Sequence, residues 1–287
     1  MQVISLQKIG LVLSGGLAKG AYQLGVLKAI NELVDFDSIV AISASSVGAL
    51  NAYAFINHKL ETAEHLWRSL NCKGMKDFIR NILQSDFLEA QIKRFSAGQG
   101  AWNKDFYTTL LNTTNKNIDY INLNTVEPGL IQKFVRASVA LPPFNKPMHI
   151  LESEYLDGAL VDNIPISPLT QADLDCIICV YFDDYNYNFE CDAVNKKTIK
   201  INQQSNMFMK NVFLFRNEYI EAMIDDGYRY GLGVLNSFFK GGNLLPGYET
   251  IIADFNRKNM DLKWYVTCEV LTKRLNKATQ KYLKRKQ

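Results

Sequence analysis

Residues 9–56 read IGLVLSGGLAKGAYQLGVLKAINELVDFDSIVAISASSVGALNAYAFI. The first five, Ile9 to Leu13, form a short apolar run of the kind buried on both faces in a parallel sheet. A glycine-rich turn follows. Ala21, Leu24, Leu27, Ile30 and Val34 then recur at spacings of three and four, which places them on one helical face. A second apolar run, Ile39–Ile42, leads into the turn Ala44-Ser45-Ser46-Val47-Gly48, and Val47–Ile56 reads as the next helix. Strand, turn, helix, repeated, is the rhythm of a parallel sheet covered by helices. The expected fold class is α/β, a three-layer α/β/α sandwich with a mostly parallel central sheet.

Further along, the rhythm is interrupted. Residues 58–125 carry amphipathic stretches, with Leu66, Trp67, Phe78, Ile79, Ile82, Leu83, Phe87 and Leu88 on recurring faces, continued by Trp102, Phe106, Tyr107, Leu110 and Leu111. Two readings stand: helices packed on the sheet, or a helical cap inserted over 58–125 above an apolar substrate. Asp175–Phe182 reads as a returning strand, 206–235 as one or two long helices, and 262–270 as a late strand. No repeat, low-complexity tract or Pro/Gly/Ser-rich linker divides the chain, so a single domain is expected over 1–287.

With 287 residues, 47% of them hydrophobic, the chain is long enough to bury a core without disulfide or metal staples. Charged residues at 21% and aromatics at 11% exclude wholesale disorder. Five scattered cysteines, Cys72, Cys176, Cys179, Cys191 and Cys268, argue for a reducing compartment. Cys176 and Cys179 make a C-x-x-C, but inside the strand-like DCIICVYF, where core packing outweighs a redox or metal role. The opening MQVISLQKIG lacks the basic and apolar regions of a signal peptide, so a cytoplasmic location is expected. Ser38–Asn57 is uncharged for twenty residues, enough to span a bilayer, yet its serines and asparagines favour a buried strand–turn–helix. The net charge of +3 is uneven: Lys273, Arg274, Lys277, Lys281, Lys284, Arg285 and Lys286 crowd the end, and without those seven cations residues 1–270 carry −4. Leu271, Leu275, Ala278 and Tyr282 add an apolar helical stripe, so 271–287 reads either as a terminal helix packed on the body or as an anionic-membrane contact.

Three turns carry candidate chemistry. In Gly15-Gly16-Leu17-Ala18-Lys19-Gly20, backbone N–H groups at a helix start can face an anion. A dinucleotide fingerprint would need Gly at 17, and a P-loop would need Ser or Thr after Lys19; an oxyanion hole remains. In the second turn Ser46 has small residues two before and two after, Ala44 and Gly48, as a nucleophile elbow requires, and Val47 N–H follows it. Ser45 is out of register. The third turn, Asp157-Gly158-Ala159, ends an apolar run and precedes Asn163 and Pro165. The three histidines, His58, His65 and His149, all precede residue 150, so a Ser…Asp…His order fails.

GGLAKG, ASSVG and DGA in that order, with the stretch Ala137-Ser138-Val139-Ala140-Leu141-Pro142-Pro143-Phe144, resemble the patatin-like phospholipase family over about Ile9 to Val180. The resemblance implies a Ser–Asp dyad, with Ser46 as nucleophile and Asp157 as base. Gly15, Gly16, Leu17 and Val47 would supply the oxyanion hole, supported by Lys19, Gly20, Ala44, Gly48, Gly158 and Ala159. Lys19 matches the family's basic position, with a phosphate-facing, ion-pairing or packing role. The implied activity is metal-independent and cofactor-free cleavage of fatty-acyl esters in phospholipid or lysophospholipid through an acyl-enzyme. A peripheral membrane surface, rather than nucleic acid, then becomes the expected partner of the basic tail. This chain departs from the family in having Ala44 for the first elbow glycine and Leu17 for the loop's third, where positive φ would strain a leucine. Those departures keep alternatives open: a weak or silent lipid-binding module on the same fold, or a hydrolase or acyltransferase of soluble esters and thioesters.

Overall fold

Five consecutive buried residues make Ile9–Leu13 (β1) a central strand, and a computed structural model, describing residues 7–83, 86–98, 102–182, 188–202 and 216–258, pairs it on both sides. Helix α1 (Gly20–Leu33) crosses to the parallel strand β2 (Ile39–Ser45), which turns at Ser46 into α2 (Val47–Ile56). Then come α3 (Leu60–Ser69), α4 (Met75–Phe78) running on as a π-helical turn over Ile79–Leu83, and α5 (Phe87–Ser96). Strand β3 (Asp105–Asn112) lies parallel to β2 and carries β4 (Asn117–Asn122) antiparallel. After α6 (Pro128–Ala137) the hairpin β5 (Met148–Ile150) and β6 (Ser153–Asp157) adds to β3. On the far side of β1 stand β7 (Cys176–Tyr181) and, after α7 (Asp192–Lys196), β8 (Thr198–Asn202), both parallel. The described chain closes with α8 (Asn217–Leu235), the short pair β9 (Phe239–Lys240) and β10 (Asn243–Leu244), and α9 (Tyr248–Lys258).

Alternate residues of the buried strands serve different layers, as strand geometry demands. Leu11, Leu13, Ile42, Ala44, Ile178 and Val180 join the larger core with α1, α2, α3 and α8. Val12, Ala41, Ile177, Cys179 and Tyr181 face the other way, under Ile164, Leu169, Leu174, Phe189 and Val194. The sandwich is α/β/α, with a thinner second layer built from turns and α7. Cys176 and Cys179 are both buried in β7, and burial pushes the Cys176 thiol above its ordinary range.

Residues 58–125 need a correction. The helical stretch ends at α5, and the apolar residues beyond it belong to the sheet: Phe106 and Leu110 lie in β3. Their spacing of four mimics a helical face, while Tyr107, Thr108 and Thr109 between them carry the β preference that decides the matter. Ser38–Asn57 resolves into β2, the turn and α2, and among the described residues no helix is long and apolar enough to cross a membrane. Residues 217–235 are helical as expected; the start of the 206–235 stretch, the 262–270 strand and the 271–287 tail lie outside the described residues.

One pairing positions the site. β4 occupies one edge of β3 from Tyr107 to Asn112, so β2 and β6 share the other. β2 runs up that edge and stops at Ser45, opposite Thr109; β6 runs down it and stops at Asp157, opposite Leu110. The two strand ends meet head to head.

Candidate active site

Because of that meeting, Ser46 and Asp157, 111 positions apart in sequence, are in hydrogen-bonding contact: Ser46 Oγ donates to Asp157 Oδ2 at 2.6 Å. Ser46 has φ 54° and ψ −131°, a conformation rare for a side-chain-bearing residue, which turns its hydroxyl off the sheet end at the start of α2. A close helix–strand approach makes this turn possible. A Cβ on Gly48 would lie 2.5 Å from the Leu13 carbonyl oxygen. Ala44, fully buried, is accommodated at the other flank.

Asp157 is 1% exposed, and desolvation raises its pKa from 3.8 to about 7 against the opposing hydrogen bonds from Ser46 and from Ala159 N–H, which reaches Oδ1 at 2.9 Å. Its own N–H donates to the Ala140 carbonyl at 3.0 Å, so the Ala137–Phe144 stretch holds the acid in place. Gly158 passes β3 closely: a Cβ there would sit 2.7 Å from the Thr109 oxygen.

The glycine loop lies over this pair. A Cβ on Gly15 would stand 2.8 Å from Ser46 Cβ. Gly15 differs from expectation in one respect: its N–H donates to the Asn163 carbonyl at 3.3 Å, and Asn163 Nδ2 returns a bond to the Gly15 carbonyl. Of the expected oxyanion donors, the Gly15 N–H is thus already engaged, and Gly15 serves as the point of close approach to Ser46. Leu17 takes the strained conformation anticipated for it, φ 52°. Lys19 packs: its Nζ donates to the Phe182 carbonyl at 3.1 Å, with the Phe182 ring beneath. A Cβ on Gly20 would meet Trp67 at 2.6 Å.

Sequence reasoning missed the buried polar chain behind the loop. Asn51 Nδ2 donates to the Gly20 carbonyl (2.9 Å) and Gln23 Oε1 (3.0 Å), its Oδ1 accepts from Trp67 Nε1 (3.1 Å), and Gln23 Nε2 donates to the Ser14 carbonyl (3.1 Å). The available signal was polar residues on the otherwise apolar faces of two helices. Asn51→Ala removes the bonds that Asn51 makes to the Trp67 N–H and the Gln23 carbonyl oxygen in a buried setting, so urea denaturation should show a loss of about 2–4 kcal/mol. Asn163 was noted with the third turn but its tie to Gly15 was not foreseen, nor was the Tyr120 hydroxyl on Asp162 Oδ2 at 2.6 Å, beside the Ser45 Oγ bond to the Asp162 carbonyl. The histidines stand elsewhere: His58 stacks on Phe36 and His149 sits in edge strand β5.

Ser46 and Asp157 open on an apolar cavity. Its walls come from Leu17, from Val47 and Leu50 of α2, from Leu66, Trp67 and Leu70, from Phe78, Ile82, Leu83, Phe87 and Leu88 of the α4–α5 region, and from Val139 and Leu141. Among the described residues no group of three or more His, Cys, Asp or Glu is placed to hold a metal ion.

The hydroxyl of a strained strand–helix turn and a buried carboxyl thus meet where the parallel strand β2 and the antiparallel strand β6 of an α/β sheet end. The chain belongs to the patatin-like phospholipase family, whose profile it matches over residues 11–73 and 70–170. It is similar to Lysophospholipase NTE1 of Cryptococcus neoformans var. neoformans serotype D, 31% identical over 187 residues, 61% of this chain and 11% of that protein. Lysophospholipase NTE1 of Yarrowia lipolytica is 28% identical over 187 residues, 58% of this chain and 12% of its own length. The chain thus spans about a tenth of these relatives. Among solved structures, VipD from Legionella pneumophila matches 81% of this chain and 67% of its own at 14% identity and a TM-score of 0.46. Pseudomonas aeruginosa ExoU, in its complex with SpcU, matches 88% and 58% at 12% identity and a TM-score of 0.46.

Proposed function

We propose that this chain is a lipid acyl hydrolase of the phospholipase A or lysophospholipase type, acting through Ser46 and Asp157. The observation that carries the reading is the 2.6 Å bond from an elbow serine to a buried aspartate at the end of an apolar cavity. Ser46 Oγ attacks the ester carbonyl while its proton passes to Asp157 Oδ2, and the N–H groups of Gly16, Leu17 and Val47 hold the oxyanion. Collapse breaks the C–O bond, and Asp157 returns the proton to the departing alcohol. Water, deprotonated by the same carboxylate, then releases the fatty acid and restores Ser46. The cavity takes the acyl chain, and the α3–α5 region acts as its cap. Neither step calls on a metal, and a membrane surface rather than nucleic acid supplies the substrate. The 271–287 segment is assigned to that surface on its sequence, seven cations beside an apolar stripe.

Two measurements test this. Fatty-acid release from phosphatidylcholine and lysophosphatidylcholine vesicles should persist in chelator, and a fluorophosphonate probe should label Ser46. An unlabelled protein that still binds the vesicles would favour the silent lipid-binding alternative, for which the strained Leu17 is the supporting observation. Faster turnover of monomeric than of micellar ester would favour the soluble-ester alternative.

A further inference from the structure

Leucine is an expensive choice at position 17. Its φ of 52° is a backbone conformation that glycine adopts freely and a residue with a side chain resists. Such conformations persist where the surroundings over-determine them, and here they do. Gly15 is held through both its N–H and its carbonyl by Asn163. Gly16 lies so close to Phe182 that a Cβ would stand 2.2 Å from the ring. Lys19 N–H closes back on the Gly16 carbonyl at 3.1 Å, and its Nζ is tied to the Phe182 carbonyl. With the backbone fixed on both sides, the leucine side chain goes into the apolar cavity, half-buried, on the same wall as Ser46 and Val47. It is the oxyanion loop's contribution to that wall. Glycine would satisfy the torsion and leave the wall open.

We propose that Leu17 is a specificity-determining residue, which narrows the cavity beside the nucleophile so that the site accepts acyl groups unbranched next to the carbonyl. This deepens the acyl-hydrolase reading and rests on it. Leu17 lines the same cavity as Ser46, Val47 and Asp157, and the adjoining Gly15 lies against Ser46, which on this reading sets the leucine beside the carbons nearest the scissile carbonyl. The insertion helices, whose Leu83 and Leu88 also line the cavity, face the remainder of the chain.

The test compares p-nitrophenyl esters of straight-chain acids from butanoate to hexadecanoate with their 2-methyl counterparts, using wild type, Leu17→Ala and Leu17→Gly. In both variants the kcat/KM ratio of branched to straight ester should rise roughly tenfold or more, the usual leverage of one or two methyl groups in an apolar site. The dependence on straight-chain length should keep its shape. Any change in oxyanion stabilisation acts on all esters alike and cancels in the ratio. An unchanged ratio in a wild type that labels with fluorophosphonate overturns the role of Leu17 alone. A ratio that moves in Leu17→Gly but not in Leu17→Ala overturns it too, since only the torsion would then matter. Absence of both labelling and hydrolysis in wild type removes the acyl-hydrolase reading and the selectivity with it.

Discussion

Asp157→Asn should lower acyl-ester hydrolysis roughly 10²–10⁴-fold, the usual contribution of a positioned general base, and Ser46→Ala roughly 10⁶-fold. Both variants should lose fluorophosphonate labelling, the first because the hydroxyl is no longer activated and the second because it is gone. The acid works as a base only when ionised. Since burial lifts its pKa from 3.8 to about 7, wild-type kcat/KM should rise with pH through about 7 and level off above it. The same shift has a stability consequence of opposite sense. A folded-state pKa above the unfolded value contributes stability that is complete below 3.8 and is lost as pH rises through about 7. An ionised Asp157 therefore opposes folding by on the order of 4 kcal/mol at alkaline pH. Thermal melts of Asp157→Asn against wild type should diverge in the variant's favour between those limits and run parallel above them. Retained turnover in both Ser46→Ala and Asp157→Asn would sink the dyad.

The second large effect lies away from the chemistry, where α1 crosses α8. A Cβ on Gly25 would stand 2.0 Å from the Ile224 carbonyl oxygen, and one on Gly227 equally close to that of Tyr22. Alanine in mid-helix normally stabilises by about 1 kcal/mol relative to glycine. Here the sign reverses, because backbone atoms cannot rotate away and the helices must separate. Gly25→Ala or Gly227→Ala should cost about 3 kcal/mol or more, a fall of roughly 6–12 °C in Tm. Gly233, on the same helix with nothing within 4 Å, is the control: Gly233→Ala should raise stability by about 0.5–1 kcal/mol. Equal responses at 227 and 233 would mean the crossing is looser than described.

Local pattern carried much of this architecture. The apolar run at Ile9–Leu13, the helix from Ala21 and the Val47–Ile56 segment fold as their spacing indicates, since each buries one face against a neighbour close in sequence. The small residues around Ser46 were legible because an elbow leaves no room for others. Phe106 and Leu110 were not, because four-residue spacing serves a helix or a strand equally well until neighbours choose. Gly25 and Gly227 read as weak helix positions; their meaning comes from a partner about two hundred residues away. Asn51 and Gln23 announce nothing until Trp67 and the Ser14 carbonyl close their network.

The head-to-head arrangement of β2 and β6 makes β3 a splint. Ser46 and Asp157 are not connected through the polypeptide between them but are each indexed to the adjoining rungs Thr109 and Leu110. The link between β4 and α6 can therefore lengthen or shorten without altering their separation, whereas the Ala137–Phe144 stretch, whose Ala140 carbonyl holds the Asp157 N–H, cannot. A single residue inserted in β6, by contrast, would advance that strand by about 3.3 Å and turn the carboxyl to the opposite face of the sheet. The tolerance of this chain to change is thus set by register on one strand, with variation free in that link and forbidden in a few ladder positions.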